Sequence, residues 1–188
     1  MEKRCQTRVH QLLCDRGLYK VSQRFGMEVF RRSSIFHGLD EILAGNSVRG
    51  KTCFEIGSWN GLTAVVLSRY FDRVISVDIV DNPLKYEITE YLGIDSIRFF
   101  HIKDNADKAK IAGKYKFDFA YVDGDHAADT QSDWEMVRDC GRVLFHEAWR
   151  HQRPVWELLQ SLPRGEITMN DDGLALWVKA QRDASNQS

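Results

Sequence analysis

The run Cys53-Phe54-Glu55-Ile56-Gly57-Ser58-Trp59-Asn60-Gly61-Leu62 decides the fold. Its first half closes a strand-length apolar segment, Thr52–Ile56. Its second half is a turn with two glycines, and Leu62, Val65, Val66 and Leu67 then follow at helical spacing. Gly57 lets the chain turn sharply, and Gly61 lets the helix begin close to the strand. In an α/β sheet this strand–turn–helix is where a nucleotide-like ligand lies, over the carboxyl end of the first strand. The next apolar run ends at Asp78, 21 residues after Gly57. An acid at that distance is placed to accept hydrogen bonds from both hydroxyls of a ribose. The plainer reading is an ordinary strand–helix turn followed by a surface aspartate.

Working outward, short apolar runs alternate with amphipathic stretches. The runs are Thr52–Ile56, Val74–Val77, Ile97–His101, Phe117–Val122 and Val143–Phe145. Helix-like segments near 60–71, 83–92, 104–112, 127–139 and 151–161 separate or follow them. This alternation predicts right-handed βαβ units and a parallel sheet covered on both faces. Glu166–Met169 and Leu174–Ala180 flank Asn170-Asp171-Asp172-Gly173, whose Asp-Gly pair signals a hairpin, so the sheet should finish antiparallel. Residues 1–49 carry helical spacing at Val9, Leu12, Leu13, Val21, Phe25, Leu39, Ile42 and Leu43. They read as an N-terminal helical extension, broken near Gly17 and around Ser33 to Gly38, that could serve as a substrate lid or a contact in a homodimer. The expected organisation is therefore this extension, a ligand-binding α/β domain over 50–181, and a polar tail over 182–188.

Composition sets outer limits. With 188 residues, 43% of them hydrophobic, the chain can build one full core. A net charge of −1 supplies no global field toward nucleic acid or an anionic membrane. Cys5, Cys14, Cys53 and Cys140 form no C-x-x-C pair, which argues against a zinc knuckle or disulfide framework. No segment approaches a membrane-spanning apolar length, and the N-terminus lacks the apolar stretch of a signal peptide. A cytoplasmic protein is the expectation.

The glycine spacing bears on the ligand. A dinucleotide fold uses G-x-G-x-x-G, whose middle glycine lets the backbone touch a pyrophosphate. Here Ser58-Trp59 occupies that slot and the spacing is G-x-x-x-G. S-adenosylmethionine carries no phosphate. Its carboxylate and ammonium need only a helix start with free N–H groups and a nearby acid such as Glu55.

At these residues the chain resembles the class I methyltransferases, in particular a small bacterial and phage-type group with a DGDH motif. The matching stretches are Cys53 to Thr63, Arg73 to Ile79, Phe117 to His126 and Gly141 to Glu147, with Asp172 to Lys179 resembling that fold's last strand. The resemblance covers about residues 50–180. It implies a Rossmann-like sheet of seven strands, mostly parallel with an antiparallel last strand, and helices on both faces. It also implies S-adenosylmethionine as cofactor, held by Glu55, Gly57, Asn60 and Gly61, with Asp78 on the ribose and Asp104 toward the adenine. Ser58, Trp59, Ile79 and Asn105 complete the expected donor site. Three departures touch the acceptor side: Cys140-Gly141 replaces a glycine pair, His146-Glu147 replaces a His-Asp pair, and Ala127-Ala128 replaces an aromatic residue.

A second constellation, Asp123, Asp125, His126, His146 and Glu147, lies after the fourth and fifth predicted strands. Two chemistries and a bland reading fit it. Asp123, His146 and Glu147 form a candidate site for a divalent metal, Mg²⁺ or Mn²⁺, which would bind a substrate hydroxyl and lower its pKa. Alternatively Asp123 orients His126 or His146, and that histidine acts as general base, its charge changing near neutral pH. Or Asp125 merely caps the following helix.

The acceptor is narrowed by elimination. DNA amino-methylating enzymes stack an extruded base on a Pro-Pro-aromatic stretch after strand four. The prolines here are Pro83, Pro154 and Pro163, none of them there, and no nucleophilic Cys lies there for cytosine carbon chemistry. Methyl transfer to an oxygen of a small molecule or sugar leads, with nucleic acid disfavoured as a partner. The basic run Trp149 to Arg153 should overhang the site and suits an acidic substrate, or is simply an exposed helix start; Arg31-Arg32 reads as a solvated face. Two other readings stand: an NAD(P)-dependent oxidoreductase with a degenerate glycine turn, and a non-catalytic donor-binding or interaction domain.

Overall fold

In the computed structural model the described residues are Val21, Arg24, Phe25, 33–124, 129–151 and 153–180, with 33–37 described by backbone alone. Helix α1 (Ser33–Gly45) leads into β1 (Gly50–Ile56), α2 (Leu62–Leu67), β2 (Phe71–Asp78), α3 (Leu84–Leu92) and β3 (Ile97–His101). There follow α4 (Asn105–Ala112), β4 (Phe119–Val122), α5 (Thr130–Val137), β5 (Arg142–Phe145), α6 (Arg153–Ser161), β6 (Gly165–Met169) and β7 (Ala175–Lys179). The sheet has seven strands in the order β3-β2-β1-β4-β5-β7-β6. β1 to β5 pair in parallel, and β7 lies antiparallel between β5 and β6. This is the seven-stranded, mostly parallel Rossmann-like sheet with an antiparallel last strand that the sequence leads one to expect.

Alternation along the strands divides the core in two. Cys53, Phe119 and Tyr121 pack with Leu39, Leu43, Leu62, Val66 and Ile88, so α1, α2 and α3 cover one face. Phe54, Ile56, Val122 and Phe145 pack with Ala112, Trp134, Val137, Val155 and Leu159, so α4, α5 and α6 cover the other. Glu55 and Ser76 are fully buried on adjacent strands of this sheet, in register with each other. Among the described residues no helix is long and apolar enough to cross a membrane. Cys53 and Cys140 are buried free thiols, whereas Cys5, Cys14, Gly17 and the tail 182–188 lie outside the described residues.

Three local expectations are corrected. No break falls between Ser33 and Gly38: α1 begins at Ser33 and is continuous through Gly38, while residues 26–32 lie outside the described residues. Gly38 serves packing instead, since a Cβ there would sit 2.2 Å from Asp172 Oδ2, and the Asn170 amide donates to its carbonyl at 3.1 Å. The helix expected to reach residue 71 stops at Leu67, and β2 already begins at Phe71. The entry end of β2 is wet, so exposed Asp72 and Arg73 masked its strand character. β4 begins at Phe119, not Phe117, because the Asp118 carboxylate accepts the N–H groups of Lys51 and Thr52 at 2.7 and 3.0 Å.

Candidate functional site

The carboxyl ends of β1, β2, β4 and β5 carry the polar side chains that the sequence singles out. Backbone hydrogen bonds carry the sheet pattern one residue past the strand ends: Gly57 N–H to Val77, Asp123 N–H to Ile56, and His146 N–H to Val122, at 2.8–3.0 Å. Gly57 has φ +91°, and a Cβ there would lie 2.1 Å from the Asp123 carbonyl oxygen. It is therefore required twice, for the turn and for the approach of β4. Gly61, at φ +79°, makes room for Lys85 of α3, whose Cβ would be 2.7 Å from a Cβ at residue 61.

Asp78 organises this turn. Its Oδ2 accepts the N–H groups of Ser58 and Trp59 at 2.7 and 2.6 Å, and its Oδ1 accepts that of Val80 at 2.7 Å. Three bonds to an ionised acceptor bind the β1 turn to the residues after β2. A carboxylate has about four lone-pair sites, so Oδ1 retains capacity for one further donor such as a hydroxyl. The anion-receiving N–H groups expected at the helix start are differently used. Ser58 and Trp59 donate to Asp78, Gly61 donates to the Ser58 carbonyl, and Leu62 donates to the Asn60 side chain. Trp59 stands in the left-handed region (φ +38°) and is 58% exposed, with Ile79 63% exposed beside the same carboxylate. Neither belongs to the core.

Glu55 is the buried acid of the site. Its Oε2 accepts the Ser76 hydroxyl, while among the described residues Oε1 has no partner, nor has the buried Ser58 hydroxyl three residues on. Burial pushes the Glu55 carboxyl up to about 8, opposed by the Ser76 hydrogen bond and Lys85 and reinforced by Asp123 and Asp78. Lys85, fully buried in α3, donates to the Val80 carbonyl at 3.2 Å and stands 3.7 Å from Asp81.

At the ends of β4 and β5, His146 Nδ1 lies 2.5 Å from Asp123 Oδ1, and the Tyr121 hydroxyl donates to Asp123 Oδ2 at 3.3 Å. His146 is 4% exposed. Burial first, and then the negative charge of Asp123, push the Tyr121 phenol well above its ordinary range, so it stays a donor. A carboxylate oxygen accepts, so at this contact the imidazole donates through Nδ1. The three-ligand metal set does not form as expected. Among the described residues no group of three or more His, Cys, Asp or Glu side chains is placed to hold an ion. Asp123 and His146 meet; Glu147, at φ +55°, does not complete the set. Asp125 and His126 lie outside the described residues.

Two residues expected near an adenine have local duties. Asp104 caps α4 by accepting the Asp107 N–H at 2.9 Å, and Asn105 donates to Asp129 at 2.8 Å. The sequence reading missed Ser76, Tyr121 and Lys85. Their signal was present: Ser76 and Tyr121 each stand two residues before a site aspartate, on the same side of an otherwise apolar strand.

No family model and no curated protein matches the sequence. Solved structures do match the fold. An O-methyltransferase from Bacillus cereus in complex with SAH is similar at TM-score 0.59, with 16% identity over 78% of this chain and 81% of that one. A Staphylococcus aureus protein provisionally named a caffeoyl-CoA O-methyltransferase reaches TM-score 0.65 at 16% identity, covering 89% and 100%. A precorrin 8W decarboxylase from Methanobacterium thermoautotrophicum gives TM-score 0.57 at 16% identity, covering 83% and 91%. At such identities the likeness establishes the fold, and the decarboxylase among the matches shows why the reaction must be argued from the site.

Proposed function

We propose that this chain transfers the methyl group of S-adenosylmethionine to an oxygen of a small molecule or sugar, with His146 as the general base. The observation that carries the reading is the Asp123–His146 pair, 2.5 Å apart at the ends of adjacent strands and next to the β1 turn. The donor fits the residues present: Glu55 Oε1 and Ser58 Oγ are buried polar atoms without partners among the described residues, suited to an ammonium and a carboxylate. Asp78 Oδ1 has room for one ribose hydroxyl, and the exposed Trp59 and Ile79 offer apolar surface near that acid. When bound, the donor supplies a methyl carbon whose bond to sulfur breaks, the electron pair passing to sulfur, as the bond to the acceptor oxygen forms.

The protein's part is to place the hydroxyl and remove its proton. Asp123 fixes the imidazole tautomer and stabilises the imidazolium, Tyr121 holds the second oxygen of Asp123, and His146 Nε2 takes the proton. The described side chains do not fit a divalent ion, so proton removal is assigned to histidine. The O-methyltransferases among the structural neighbours support the donor, and the Ser58-Trp59 pair in place of a glycine opposes a dinucleotide.

Incubation with labelled donor and a panel of hydroxylated small molecules and sugars tests the reading. Labelled ether product and S-adenosylhomocysteine are expected, with His146→Ala at least about 100-fold slower, the scale for general-base catalysis. Donor binding without product for any acceptor would favour a non-catalytic domain. Dinucleotide binding with no donor binding would favour an oxidoreductase.

A further inference from the structure

Glu55 occupies a strand position where a parallel sheet covered on both faces normally places an apolar side chain. It is 0% exposed, and Ser76 is its one described hydrogen-bond donor. The titratable and charged groups around it come from four elements: Cys53 on its own strand, Asp78 on β2, Tyr121 and Asp123 from β4, and Lys85 from α3. Acids outnumber the single cation, and the Lys85 ammonium is engaged by the Val80 carbonyl and Asp81. Among the described residues no cation pairs with Glu55 at ion-pair distance. A carboxyl so placed is neutral in the free protein at neutral pH. Its Oε1 and the Ser58 hydroxyl are buried polar atoms without a hydrogen-bond partner among the described residues.

Resting on the donor reading above, we propose that the β1 turn receives the amino-acid end of its ligand by exchange. The ligand's ammonium replaces the Glu55 proton, and that proton leaves to solvent. Charge balances: a neutral acid and an ammonium become a carboxylate–ammonium pair plus one released proton. No bond of the ligand changes. Affinity for adenosyl compounds that carry the amine therefore rises with pH, whereas affinity for those lacking it does not.

The test is calorimetry of the full chain with S-adenosylhomocysteine, in two buffers of different ionisation enthalpy, between about pH 6 and 7.5. Close to one proton released per ligand is expected near neutrality, with affinity rising up to about tenfold per pH unit. Methylthioadenosine, which lacks the amine, should bind with no proton release and a flat pH profile. Glu55→Gln, which keeps a partner for Ser76, should bind the homocysteine compound without releasing a proton. Homocysteine-compound binding with no proton exchange, or equal release by methylthioadenosine, overturns the exchange and leaves the donor reading standing. Should that variant bind too weakly to titrate, the two wild-type ligands still decide. No binding of the homocysteine compound at millimolar concentration overturns the donor reading itself.

Discussion

At the residue scale, Asp78 and Trp59 show how one carboxylate shapes a site. Asp78 receives three backbone N–H groups, so its removal leaves amides without partners in a partly buried turn. Asp78→Ala is expected to destabilise the fold by at least about 1.5–3 kcal/mol, the scale for bonds to a charged acceptor. Urea unfolding of the free protein checks it. An aspartate that only bound ribose would leave that midpoint unchanged. Trp59 makes the opposite case. A left-handed backbone costs a residue with a side chain about 1–2 kcal/mol, and this indole is mostly in water. Glycine relieves that strain at an entropic cost of about 0.5–1 kcal/mol. Trp59→Gly should thus match or exceed the wild type in thermal stability while binding the donor more weakly. A drop in melting temperature with donor affinity retained would make Trp59 a structural residue.

At the scale of elements, the ties between helices differ in how well they are sealed. Lys108 of α4 meets Asp133 of α5 at 2.5 Å with both side chains buried, and Asp133 Oδ2 would lie 2.9 Å from a Cβ at Gly124, just after Asp123. Arg69, just after α2, meets Asp40 of α1 at 3.1 Å with side chains 40% and 28% exposed. Lys108→Met removes the cation that faces a carboxylate buried away from water and should cost about 3–5 kcal/mol. Arg69→Met should cost under about 1 kcal/mol, because solvent screens the pair and Tyr70 still donates to Asp40. Chemical denaturation of the two variants compares them directly; equal losses would mean that Lys108 is not desolvated as described. The sequence could not show this pair, because Lys108 and Asp133 look like ordinary solvated charges on helices of low amphipathicity. What it did show was local: the glycine turn, the five parallel strands and the hairpin are all written in neighbouring residues. Contacts between distant elements, such as α1 on the hairpin turn through Gly38 and Asn170, leave no periodic signature.

At the scale of the whole molecule, the sheet order sets what can meet. β1 sits between β2 and β4, so Glu55, Asp78 and Asp123 converge although they are far apart in sequence. That convergence was legible as three acids at strand ends, but their consequence for charge was not, since burial comes only with the packed helices. The sign of the resulting pH dependence follows from Glu55. Unfolded, its carboxyl ionises in the ordinary range near 4.5; folded, burial holds the proton until about 8. The folded state thus binds more protons than the unfolded one between those values. Its contribution to stability is fully present below the lower value and is lost as pH rises through the upper one. The free protein should lose stability on going from about pH 5 to 8, by up to roughly 1 kcal/mol per pH unit from this group. Glu55→Gln should flatten that slope, because an amide has no proton to lose. Saturating S-adenosylhomocysteine should flatten it as well, since the buried carboxylate then has an ammonium to face. Denaturant titrations at about pH 5, 6.5 and 8 on the wild type, the variant and the liganded protein separate these outcomes. A slope unchanged by Glu55→Gln would place its origin in another group and leave Glu55 ionised in the free protein.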